Sequence, residues 1–153
     1  TGARQALFGL LLSAQQTAEA ERVLVEALTL NARQPGFAMA LARMQLDRND
    51  VAAAVETLQA AESVAGNNAT YFAFLAALLQ RQGRHADAIE RYRNALALAP
   101  STGIWFMGMG ISLQALNRTV EAQDAFRRAK ASNALNPELL AFVDEGLTQL
   151  QRR

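Results

Sequence analysis

Apolar residues along this chain return at helical spacing, and the helical pattern itself returns. Within residues 69–102, Phe72, Leu75, Ala76 and Leu79 fall at i, i+3, i+4 and i+7, one face of a helix. Gly83 permits a tight turn. A second helix is predicted to begin near His85, with Ala88, Ile89, Tyr92, Ala95 and Leu96 on one face. Pro100 ends it, because proline has no N–H to extend the ladder. The same hairpin reads out every 34 residues. Ala20, Ala54, Ala88 and Ala122 form one column, and Ala27, Ala61, Ala95 and Ala129 another. Between them stand the larger Leu24, Leu58, Tyr92 and Phe126. Leu7, Leu41, Leu75 and Met109 share the period, beside Phe8, Ala42, Ala76 and Gly110. Turn-formers recur at Gln15-Gln16, Asn49-Asp50, Gln82-Gly83 and Leu116-Asn117.

Small residues let two helix axes approach, and a large neighbour fills the space beside the crossing. One hairpin cannot bury its own apolar face, so successive hairpins must stack. The pattern therefore predicts an all-α chain of four hairpins, over 1–34, 35–68, 69–102 and 103–136. Residues 137–153 read as a closing helix. Asn136 suits the N-cap, Pro137 the first turn, and Glu138 the helix dipole. Leu139, Val143, Leu147 and Leu150 make its apolar stripe, leaving Asp144, Glu145, Arg152 and Arg153 for water.

Composition narrows what such an array can do. The 153 residues include 32 alanines and 22 leucines, a mixture that favours helix. The apolar run Ala73–Leu79 is far short of the roughly 20 residues of a membrane span, even when extended back to Tyr71. Fifteen basic against 14 acidic residues leave a net charge of +1, without the basic excess expected of a nucleic-acid binder. There is no cysteine, which removes disulfides, thiolate metal sites and thiol nucleophiles together. His85, the single histidine, has no second histidine to pair with and reads as a surface residue near a turn. Gly108-Met109-Gly110 lacks the strand and third glycine of a dinucleotide loop. Arg91, Arg93, Arg127 and Arg128 are interleaved with Glu90, Glu121 and Asp124, the pattern of a solvated outer surface. No catalytic residue, metal site or cofactor is expected. The chain opens on Thr1-Gly2-Ala3 with no basic-then-apolar leader, so it is expected to be a segment whose anchor or address, if any, lies upstream.

These columns resemble the tetratricopeptide repeat family over residues 1–136. The third unit carries the pattern most fully, in Phe72, Leu75, Ala76, Leu79, Gly83, Ala88, Tyr92, Ala95 and Pro100. The fourth keeps Phe106, Gly110, Ala122, Phe126 and Ala129. Gly66 and Ala134 replace the family's proline, and Arg4 and Ala38 stand where an aromatic is common. The resemblance implies a right-handed superhelix whose first helices line a concave groove. It also argues against a carboxylate-clamp adaptor, since Gln5, Gly9, Ala40, Thr70 and Phe74 supply no cation at the clamp positions.

The inner face of the first helices then carries Gln5, Gly9 and Leu12, followed by Met39, Arg43 and Leu46. It continues with Thr70, Phe74, Ala77 and Arg81, then Ile104, Met107, Ile111 and Gln114. Met39, Phe74, Ile104, Met107 and Ile111 are expected to form an apolar peptide groove, with Arg43 and Arg81 orienting the ligand. The alternative is a tightly wound array in which these residues meet each other or the last helix. Tyr71, Trp105 and Phe106 are expected to pack between units, with Trp105 nearest a rim. The expected function is a non-catalytic scaffold that binds a peptide or helix of a partner protein.

Phe8–Leu12, Gln34–Arg43 and Gln80–Arg84 with Ala88 further resemble the C-terminal repeat region of MSHA (mannose-sensitive haemagglutinin) type IV pilus biogenesis proteins. That resemblance implies a partner in a bacterial assembly machine and a place on the periplasmic side of the inner membrane. An adaptor for cytochrome maturation or outer-membrane assembly, in periplasm or cytoplasm, stays open. So does a self-association domain.

Overall fold

A computed structural model of the chain describes residues 3, 5, 17–30 and 35–152. It divides into two compact units, 1–66 and 67–153. All regular structure among the described residues is helical. The fold class is the one the sequence predicts, an all-α series of helix hairpins.

In the first unit, α1 (Thr17–Leu30) packs on α2 (Pro35–Asp47), and α2 on α3 (Val51–Ala60). A single 3₁₀ turn, Glu62–Val64, follows. Ala20 and Ala27 are buried against Phe37, Leu41 and Met44, so the alanine columns mark a helix crossing. Asp50 caps α3, its carboxylate accepting a bond from the Ala53 N–H at 3.0 Å. Arg48, just past the end of α2, pairs with Glu21 of α1 at 2.5 Å.

In the second unit, α4 (Ala69–Arg81), α5 (His85–Leu98), α6 (Gly103–Ala115), α7 (Thr119–Ala131) and α8 (Pro137–Gln151) pack each on the next. The Asn68 side chain caps α4 through the Tyr71 N–H, and Asn136 caps α8 through the Leu139 N–H. The core joins Ile89, Leu113, Ala122, Ala125, Phe126, Ala129, Val143 and Leu150. Phe126 is its centre. Its ring is fully buried and lies against Gly110 of α6 on one side and Gly146 of α8 on the other. A Cβ at Gly110 would meet that ring at 2.8 Å, and one at Gly108 would meet Tyr92 at 2.5 Å. The glycines of α6 thus mark where large residues of α5 and α7 sit against its backbone.

The turn between the two helices of a hairpin is one structure used three times. Asn49, Gly83 and Asn117, spaced by 34 residues, all have positive φ, at 63°, 75° and 59°. At each, the following N–H reaches back five residues: Asp50 to Gln45, Arg84 to Leu79 and Arg118 to Leu113. These are Schellman closures, and only glycine and asparagine enter that left-handed region at low cost.

Candidate functional site

The residues expected to line a groove divide between the two units. Met39 of α2 is buried, 7% exposed, and belongs to the packed side of its helix. It offers a ligand little surface, because its helix turns it inward with Phe37, Ala38 and Leu41. Arg43 is exposed on the same helix. Gln5 is exposed, while Gly9 and Leu12 lie outside the described residues.

In the second unit, Thr70, Phe74, Ala77 and Arg81 form the less buried side of α4; Thr70 and Arg81 are exposed, and Phe74 and Ala77 half-buried. On α6, Ile104 is 48% exposed. Met107 and Ile111 are half-buried and pack against the core that Val143 and Leu150 of α8 complete.

The two first helices are tied by a polar knot that the sequence reading did not find. Gln80 of α4 donates through Nε2 to the Gly108 carbonyl at 2.7 Å and to Ser112 Oγ at 2.8 Å. Ser112 is fully buried, and its Oγ also lies 2.9 Å from His85 Nδ1. His85 is thus a half-buried packing residue joined to α6, not a bystander at a turn. Each polar group here has a partner, so the knot stabilises the α4–α6 contact. Its polarity was visible in the sequence only as three unrelated residues.

Aromatic placements follow the same logic. Tyr71 is fully buried, while Trp105 and Phe106 are half-buried. Tyr92 is buried, and desolvation pushes its phenol up to about 12 from 10.0.

A second kind of surface lies over the outer helices. In the second unit, a cleft of about 500 Å³ is lined by Arg93, Phe106, Met109, Val120, Asp124 and Arg128, among others. Its charges are paired. Arg118 grips Glu121 through Nε at 3.0 Å and Nη2 at 2.7 Å. That bond keeps Arg118 more basic and Glu121 more acidic than usual. Arg93 lies 3.5 Å from Glu121, and Arg128 Nε sits 3.0 Å from Asp124. The Arg128 guanidinium also stands 5.8 Å from the centre of the Phe106 ring, over its face. In the first unit, a cleft of about 510 Å³ is lined by Val25, Leu41, Gln45, Ala53, Glu56, Thr57, Ala60 and Val64, among others. Its floor carries one polar link, Thr57 Oγ1 donating to Gln45 Oε1 at 2.7 Å.

Among the described residues, no three His, Asp or Glu side chains gather as a metal site would need. None of their helices is long and apolar enough to cross a membrane.

Tandem hairpins with small-residue crossings and repeated left-handed turns define a helical-repeat protein. Two family models of the tetratricopeptide repeat match the chain, over residues 11–78 and 67–132. The chain belongs to the tetratricopeptide repeat family. No curated protein sequence matches it. Several solved structures share its fold. MamA residues 41-end from Desulfovibrio magneticus RS-1 superposes with a TM-score of 0.79 at 14% identity, over 99% of this chain and 89% of that one. A further crystal structure of MamA protein gives 0.72 at 19% identity, over 86% and 76%. The Yersinia enterocolitica type III secretion chaperone SycD, in complex with a peptide of the translocator YopD, gives 0.69 at 20% identity, over 74% and 89%.

Proposed function

We propose that this chain is a non-catalytic protein-interaction scaffold, holding a peptide or helix of a partner on the first-helix face of residues 67–153. The observation that carries the reading is the apolar face of α6. Ile104 is 48% exposed there, next to half-buried Met107 and Ile111, on a helix fixed to α4 by Gln80. Exposed apolar surface on a rigid, fully satisfied scaffold favours a ligand that removes it from water. Arg81 at the end of α4 is exposed and supplies a cation beside that face. Family membership supports the reading. So does the SycD structure, where a chain of the same fold is seen with a partner's peptide.

The test is a paired pull-down from envelope and cytosolic extracts, with residues 1–153 as bait. A second bait carries Phe74→Glu and Ile104→Glu, its helicity checked by circular dichroism. Partners retained by the first and lost by the second are expected. Equal recovery by both folded baits would overturn the reading.

The narrower placement, in a pilus or envelope assembly machine on the periplasmic side, rests on the resemblance at Phe8–Leu12, Gln34–Arg43 and Gln80–Arg84. Its own test is the partner's identity together with fractionation of the parent protein. A partner outside any envelope machine, with recovery in the cytosol, would discard the placement and leave the scaffold standing.

A further inference from the structure

The two outer clefts are the same groove, displaced by two repeats. Adding 68 to six of the ten lining residues of the first, Val25, Leu41, Gln45, Ala53, Glu56 and Ala60, gives six of the eight of the second. Leu41 becomes Met109, Gln45 becomes Leu113, and Glu56 becomes Asp124. In each case the groove runs between successive second helices, over the first helix between them. The backbone is common, but the chemistry is not.

The second groove carries its own cations at its rim. Arg93 and Arg128 reach over it to Glu121, Asp124 and the Phe106 ring. In the first groove, Val25 stands at the position of Arg93, Ala60 at that of Arg128, and Ala53 at that of Glu121. Val25 is 48% exposed and Ala60 is exposed. The carboxylate is retained. Glu56 corresponds to Asp124, is exposed, and has no cation partner among the described residues. Among the described residues the first groove is thus an apolar trough with an acidic edge, with Val25 and Ala60 at the positions where its twin has arginines.

We infer that this groove, lined by Val25, Ala53, Glu56, Ala60 and Val64, docks an arginine-bearing amphipathic segment of a partner protein. The segment's apolar side would cover Val25 and Val64, and its guanidinium would meet Glu56 as Arg128 meets Asp124. Charge complementarity argues for this occupant, since the twin groove shows which cation the site accepts and where it sits. A cation at the edge of an apolar groove sets register and discriminates partners, while the buried apolar area supplies the affinity. The site is separate from the first-helix face and does not depend on it.

The probe is an 18-residue helical peptide with leucines on one face and arginines flanking them, labelled for fluorescence anisotropy. A matched peptide carries glutamates in place of the arginines. With residues 1–153, the arginine peptide is expected to bind at least tenfold more tightly. The Ala60→Arg variant recreates the pairing of Asp124 with Arg128 four residues along the helix, so it should fold normally and lose at least tenfold in affinity. Glu138→Gln, exposed and outside both surfaces, should leave the affinity unchanged. Equal binding of the two peptides, or undiminished binding to a folded Ala60→Arg variant, would overturn the inference. So would a concentration-dependent mass abolished by Ala60→Arg, which would assign the groove to a second copy of the chain.

Discussion

A phenylalanine between two glycines leaves no slack. The Phe126 ring is fully buried, with Gly110 and Gly146 on its two sides. Gly110→Ala places a methyl group 2.8 Å from that ring, and α8 blocks retreat on the far side. Over-packing of this kind costs about 1–3 kcal/mol, despite alanine's better helix propensity. Urea unfolding followed by circular dichroism measures it, and an unchanged or raised midpoint would contradict the packing described. Tyr92 makes a prediction of another kind. Its phenol rises from 10.0 to about 12 on burial. Between those values the unfolded chain releases the phenol proton while the native chain keeps it. The unfolded state therefore binds fewer protons, and stability falls as pH rises through that window, by at most about 1.4 kcal/mol per pH unit. Below pH 10 the contribution is complete. Tyr92→Phe should flatten the decline, which denaturant midpoints taken between pH 9 and 12 would show.

At the scale of the element, three turns share one closure. Gly83 has a φ of 75° and no atom within 4 Å of where a Cβ would stand. Gly83→Ala therefore meets only the backbone's own resistance, about 1–2 kcal/mol for a residue held left-handed. Asn117→Gly should be near neutral, since asparagine and glycine both tolerate that region. A Gly83→Ala protein as stable as the parent would mean the turn is not held in that conformation. The helices and these turns were legible because alanine columns and turn-formers repeat at a fixed interval, and repetition survives noise at any one position. The surface was less legible. A 34-residue period says which residues share a column, but not how far each helix is rotated, and a fraction of a turn decides whether Met39 faces water or Phe37. Met107 and Ile111 pack against a core that α8 helps complete, an arrangement no single repeat contains. Gln80, Ser112 and His85 meet only because two hairpins pack together. The outer grooves could have been read by comparing positions 68 apart, where Arg93 and Arg128 answer to Val25 and Ala60. Their charges instead resembled an ordinary wet surface.

For the whole molecule, the two units each hold their own core, one around Leu41 and Met44 and the other around Phe126. Residues 67–153 expressed alone should therefore fold with a cooperative thermal transition. Phe126→Ala, which costs about 3–5 kcal/mol by leaving a cavity, should lower that transition steeply. In residues 1–153 the same substitution should leave a first-unit transition in place, which calorimetry would resolve. A single transition displaced as a whole would mean that the two cores melt as one. Among the described residues, three positions, Val25, Ala53 and Ala60, separate a trough with an unpaired acidic edge from one rimmed by its own ion pairs. A duplicated repeat need not invent a new recognition surface, because exchanging a few rim side chains changes what an existing groove can pair with, without touching the scaffold beneath.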